Sequence, residues 1–153
     1  MSFSKEIWGN NVWYLFHSIA HKIKEDKFEF HKKNLIYILE NVCNTLPCPD
    51  CSRDSSDMLR KINFNAINNK AEFKLLIFNF HNAINTKLKK PLFDFNDLDN
   101  KYDKANIDII YNNFNIVYTS NSNIPQLMSS SFHRHHLFPR IKEALLIIKP
   151  DLI

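Results

Sequence analysis

Glycine is nearly missing from this chain: Gly9 is the single one in 153 residues. Loops that cradle phosphates or dinucleotides need several glycines, so that backbone can approach the phosphate. A Rossmann fingerprint and a P-loop are therefore excluded, and any nucleotide cofactor has to be held by side chains on helices. The shortage also argues against an all-β fold, whose tight hairpins favour glycine. Cysteine is scarce as well. Cys43, Cys48 and Cys51 make an odd, small set that does not suit a disulfide-stapled secreted scaffold. No apolar run approaches about 20 residues, so no membrane span is expected. The start of the chain, with Ser4, Lys5 and Glu6, lacks the apolar stretch of a secretory signal. Net charge is only +4, with acids and bases interspersed, so a nucleic-acid partner is not expected.

What is present reads as an α-helical chain with a real core. Hydrophobic residues make up 44%, including 13 Phe, and a chain of this size buries roughly 68–70% of its unfolded surface. Apolar residues recur at helical spacing from Asn10 to Lys24, with Val12, Trp13, Phe16, Ile19, Ala20 and Ile23. A second helix is expected from His31 to about Thr45, and a third from Cys48, with Pro49 at the first helical position. A fourth covers Lys70 to Lys89, ended by Pro91, and a short fifth covers Asn96 to Asp103. The expected architecture is all-α: a four-helix bundle with a short fifth helix, followed by a C-terminal extension. The boundary falls at 103/104. Within residues 104–153, Ile107–Tyr118 is compatible with helix or strand. Thr119–Ser131 reads as a loop, and Leu137–Lys149 as a helix burying Ile141, Leu145 and Ile148. His133, His135 and His136 around Arg134 read as a solvated basic loop, and no metal site is expected.

Cys48-Pro49-Asp50-Cys51 places two thiols one turn apart at a helix start. A helix N-terminus stabilises a thiolate, and the pair can close an exchangeable disulfide. Zinc half-sites share this spacing, but no second C-x-x-C is present to complete four ligands. Cys43, on a helix face with Leu39 and Val42, is expected to be a buried, inert thiol.

Two other segments complete a pattern. One is Trp8-Gly9, Trp13 and His17; the other is His81-Asn82-Ala83-Ile84-Asn85, Lys87-Leu88, Lys90-Pro91, Phe93 and Asp94. His81, Asn85 and Leu88 share a helical face, mixing imidazole, amide and apolar groups suited to a flat heteroaromatic ligand. Trp13 and His17, four apart, can stack on a ring system. Lys87 and Lys90 can meet a pyrophosphate. In order and spacing, these three segments resemble the ERV/ALR family of FAD-linked sulfhydryl oxidases, over Trp8 to about Tyr102.

The resemblance implies a bundle cradling FAD beside the cysteine pair. Cys48 is then the outer sulfur that substrate attacks, and Cys51 the flavin-proximal one. Trp8, Gly9, Trp13, His17, His81, Asn82, Asn85, Lys87, Leu88 and Lys90 match cofactor-contacting positions, and Tyr102 falls where the family usually has Trp. Two family features are missing. A structural disulfide is replaced by Phe78 and Phe95, expected to pack on each other as buried rings. No cysteine follows Cys51, so the shuttle pair of many relatives is absent, and a partner, either a thiol-containing protein substrate or a thioredoxin-like relay protein, is expected to bring its own thiols to Cys48. The expected activity is oxidation of protein thiols to disulfides, with O2 as acceptor and H2O2 as product. The resemblance also implies a homodimer. The small viral-type members fit best, which places the protein in host cytoplasm or virion rather than the mitochondrial intermembrane space. The alternative is a non-catalytic binding or scaffold protein on an oxidase-like bundle, with the extension as its interface.

Overall fold

The computed structural model describes residues 3–121 and 128–153. Among the described residues there are seven α-helices and no strand: α1 Lys5–Lys22, α2 Phe28–Cys43, α3 Pro49–Arg60, α4 Lys70–Lys87, α5 Leu98–Tyr102, α6 Ile107–Tyr118 and α7 Met128–Ile148. The fold is all-α, as the helical spacing predicts. None of the described helices is long and apolar enough to cross a membrane.

Helix α1 begins five residues earlier than the apolar periodicity suggests. Ser4 caps it, its hydroxyl accepting from the Ile7 N–H at 3.2 Å. That extra turn places Trp8 and Gly9 inside the helix. Asn69 caps α4 in the same way, accepting from the Glu72 N–H at 2.8 Å. The ambiguous stretch after Asn106 is a helix, because Asn106 Oδ1 accepts from the N–H groups of Asp108 (3.0 Å) and Ile109 (3.2 Å). Helix α4 stops at Lys87, two residues short of expectation. Lys90 N–H reaches Asn85 O (2.8 Å) and Lys89 N–H reaches Thr86 O (3.2 Å), with Lys89 at φ 57°. This is a Schellman turn in which lysine occupies the left-handed position that glycine usually fills.

The core is continuous from α1 to α7. Leu15, Phe16 and Ile19 of α1 meet Leu35, Ile38 and Leu39 of α2 and Phe73 and Ile77 of α4. Tyr111, Phe114 and Tyr118 of α6 and Ile141, Leu145 and Ile148 of α7 join the same cluster. Each such side chain contributes about 1.5–3 kcal/mol when fully buried. Helix α6 packs mainly on α1, and α7 on α2. The end of the chain is pinned beside the end of α1: His31 Nε2 bonds Asp151 Oδ2 at 2.6 Å, and Ile153 N–H donates to Lys22 O at 2.7 Å.

Two expectations for the extension are corrected. Part of the stretch read as a loop, Met128–Ser131, belongs to α7, while residues 122–127 lie outside the described part. His133–His136 is also helical, and Arg134 is 1% exposed rather than solvated. A run of hydrophilic residues hides this burial, because three of the acceptors around Arg134 are backbone carbonyls 14 to 89 residues away in sequence.

Candidate active site

Cys48 is the N-cap of α3 and Pro49 its first residue. Proline suits that place, since its missing N–H would have had no intrahelical partner. The Cys51 N–H donates to Cys48 Sγ at 3.3 Å. Both thiols are free and half-buried. The approach to Cys48 is fastened to α3: Ser52 Oγ accepts from Leu46 N–H (2.8 Å) and donates to Leu46 O (3.3 Å), and Ser56 Oγ donates to Asn44 Oδ1.

The two sulfurs differ electrostatically. Burial opposes ionisation of Cys48, but hydrogen bonds from the side chain and backbone of Cys51, with the Lys5 ammonium, outweigh it and hold the thiol below its usual value. Cys51 is pushed up to about 11, first by burial and then by the charge-bearing Cys48 beside it. One proton therefore leaves the dithiol readily, from Cys48. No local sequence signal marks Lys5; its ammonium is in turn raised by Cys48, Cys51 and Asp50. Cys43 is buried at 2% exposure, and burial pushes its thiol far up, as expected of an inert residue.

The ring-bearing residues gather between α1, α4 and α5. Trp13 stacks on His81 with centroids 4.0 Å apart and planes 10° apart. His17 stacks on Tyr102 at 4.7 Å and 15°. His17 Nε2 and His81 Nδ1 share a hydrogen bond of 2.9 Å, so both pairs form one aromatic assembly. Burial is the main cause that lowers His17 to about 3 and His81 to about 4, helped by neighbouring charges including Lys101, so both rings are neutral. Lys101 Nζ lies 5.1–5.6 Å above the rings of Tyr14, Phe93 and Tyr102. A cleft of about 500 Å³ shares Tyr14 and Lys101 with this assembly and runs toward Ile109 and Asn113; none of the residues chosen from sequence lines it.

Asn82 governs the turn after α4. Its Nδ2 donates to Phe93 O (3.0 Å) and its Oδ1 accepts from Phe93 N–H (2.9 Å). Asn85, buried, donates to Asn82 Oδ1 at 3.5 Å. Lys87 Nζ pairs with Asp54 Oδ1 at 2.8 Å, linking α4 to the helix of the redox pair one turn beyond Cys51. Leu88 and Lys90 are exposed, and Lys90 has no carboxylate partner among the described residues. Gly9 is half-buried, and a Cβ there would meet nothing within 4 Å. Trp8 sits apart from the stacked rings: its neighbours are Tyr118 at 6.1 Å and the Arg134 guanidinium at 4.8 Å.

Phe78 and Phe95 do touch, edge to face, with centroids 5.2 Å apart. The expected burial of both is corrected. Phe95 is 51% exposed, because it opens a short 3₁₀ turn capped by Asp94, whose carboxylate accepts from Asn96 N–H at 2.9 Å.

Known proteins resemble this chain at low identity. The putative FAD-linked sulfhydryl oxidase 096R of Invertebrate iridescent virus 3 is 25% identical over 60% of this chain and 62% of its own length. The FAD-linked sulfhydryl oxidase of African swine fever virus (isolate Tick/Malawi/Lil 20-1/1983) is 27% identical over 67% of this chain and 86% of its own. The mitochondrial FAD-linked sulfhydryl oxidase ERV1 of Saccharomyces cerevisiae is 28% identical over 58% and 46%. No solved structure matches. With the cysteine pair at the head of α3, the stacked rings between α1, α4 and α5, and a model of the Erv1 / Alr family matching residues 10–103, the chain belongs to the Erv1 / Alr family.

Proposed function

We propose that this chain is an FAD-linked sulfhydryl oxidase that converts thiols of a protein partner to disulfides. The observation that carries the reading is the Cys48–Cys51 pair at the head of α3, joined through Asp54–Lys87 to the helix bearing His81, Asn82 and Asn85. The residues fit a bound FAD. Trp13, His17, His81 and Tyr102 offer flat neutral faces, Lys90 is an exposed cation near His81, and the space beside Gly9 is open. In this reading Trp13, His17, His81, Asn85, Leu88 and Tyr102 hold the ring systems, and Lys87 and Lys90 face the pyrophosphate. Asn82 fixes the turn, while Trp8 and Gly9 set the first turns of α1. When bound, FAD supplies a two-electron acceptor for the dithiol and a link to O2, which leaves as H2O2.

The protein's own residues carry the thiol chemistry. A substrate thiolate attacks Cys48 Sγ of the oxidised pair; the Cys48–Cys51 bond breaks and Cys51 leaves as the thiolate. Burial still raises Cys51 in the mixed disulfide, but the part of the rise that Cys48 causes belongs to the dithiol and is gone once Cys48 is tied up. A second substrate thiolate then attacks the substrate sulfur of the mixed disulfide, releasing oxidised product and the Cys48 thiolate, which Lys5 stabilises. Residues 1–103 form the oxidase unit and residues 104–153 an extension of it. A homodimer, and host cytoplasm or virion as its location, complete the proposal; the viral relatives support the latter.

The full-length protein should purify yellow and consume O2 with a small dithiol as donor. Cys48→Ala and Cys51→Ala should each abolish turnover and keep their flavin, because helical side chains rather than thiols hold it. Turnover undiminished in either variant would overturn the relay.

A further inference from the structure

The least expected group in the molecule is the Arg134 guanidinium, 1% exposed in α7. Arginine carries five N–H donors and stays charged. All five find acceptors. Nε donates to Tyr118 O (3.2 Å), Nη1 to Thr45 O (3.4 Å) and Ser130 Oγ (2.9 Å), and Nη2 to Ser120 O (3.5 Å) and Ser131 Oγ (3.1 Å). None of these acceptors is a carboxylate. Burying an unpaired charge is costly, and what offsets it here is the junction of two helix ends. Tyr118 is the last residue of α6 and Ser120 lies two residues beyond it, and Thr45 follows the last turn of α2. Each helix C-terminus carries about half a negative charge, so two of them match one guanidinium. The face of Trp8, 4.8 Å from Cζ, adds a cation–π contact.

Position gives this cluster a consequence. Thr45 lies three residues before Cys48, and its hydroxyl also meets Tyr118 OH at 2.9 Å. Trp8 lies one turn after Lys5, the ammonium beside Cys48. Arg134 therefore holds both segments that converge on the outer sulfur: the first turns of α1 and the link from α2 to α3. We propose that Arg134 is a positioning residue for Cys48, by which the C-terminal extension sets the presentation of the redox pair to substrate. The inference rests on the thiol-oxidase reading, and it gives the extension a part in the chemistry without contact with the reacting atoms.

The test uses the full chain with Cys51→Ser, so that Cys48 is the reactive thiol, and follows its alkylation by iodoacetamide against pH. Arg134→Lys keeps the charge but offers three donors for five; Arg134→Met removes both. Each should retain helical circular dichroism and flavin absorbance. The midpoint of Cys48 alkylation should rise, and the rate at neutral pH should fall about threefold or more with the thiolate fraction, least in Arg134→Lys. Amide exchange should quicken at residues 44–48 and stay unchanged at 70–87. A folded Lys or Met variant with the parental alkylation profile would overturn the proposal. So would failure of both to fold, which would assign Arg134 to the fold as a whole. Because alkylation needs neither flavin nor O2, a failure of the oxidase reading would show separately, as parental protein with no flavin or no O2 uptake.

Discussion

His17 Nε2 and His81 Nδ1 lie 2.9 Å apart, and the bond joins α1 to α4 only while one ring donates and the other accepts. That requires at least one imidazole neutral, to accept; with both neutral, their tautomers are complementary. Burial keeps both neutral, lowering His17 to about 3 and His81 to about 4. In the unfolded chain both titrate near about 6.5. Between those values the unfolded state binds protons that the folded state refuses. Stability is therefore full above the unfolded value and falls as pH drops toward about 4. His17 alone should remove about 1.4 kcal/mol per pH unit well below 6.5. Urea midpoints at pH 7, 6 and 5 measure this, and His17→Gln should flatten the slope. Equal slopes in parent and variant would show that His17 already takes up a proton in the folded state.

The cysteines should react in a fixed order. In reduced protein near neutral pH, Cys48 should alkylate first, Cys51 more slowly and Cys43 only on unfolding, following their lowered, raised and strongly raised thiol values. Lys5→Met removes the ammonium beside Cys48 and should slow its labelling, with no change in helical content, because Lys5 is solvent-exposed. Mass mapping after short exposure reads the order directly. Cys51 labelled ahead of Cys48 would reverse the roles given to the two sulfurs.

What could be read from residues alone follows a physical divide. Helices show in sequence because their apolar stripes recur every few residues, and the C-x-x-C shows because both its ends lie in one turn. That Trp13 and His81 belong to one site is accessible only through the family pattern, since periodicity alone would place both in a core; their direct stacking has no signal in the sequence. The earlier start of α1 depended on one capping hydroxyl at Ser4, a polar signal outside the apolar stripe. Lys5 and Arg134 had no local signature at all. Lys5 meets a thiol on another helix, and Arg134 meets a carbonyl 89 residues away. A charged residue flanked by histidines reads as solvated unless the acceptors that bury it are known.

Two devices of unequal strength hold the segment after α4: a ring pair and a side-chain amide. Phe78 and Phe95 meet edge to face at 5.2 Å, and such a pair is worth about 0.5–1.5 kcal/mol beyond area burial. With 51% of Phe95 in solvent, Phe95→Ala should cost about 1–2 kcal/mol, the pair energy plus the half-buried area, short of the ~3–5 kcal/mol of a fully buried ring. Asn82 grips the same segment differently, through two hydrogen bonds to the backbone of Phe93 at 3.0 and 2.9 Å. Removing that amide leaves both Phe93 backbone groups without their partner, at about 1–3 kcal/mol for each that stays buried. Asn82→Ala should therefore destabilise more than Phe95→Ala in urea titrations. It should also lose flavin on gel filtration, whereas Phe95→Ala keeps it. A Phe95→Ala cost of 3 kcal/mol or more, or flavin lost from that variant alone, would return the loop to the ring pair.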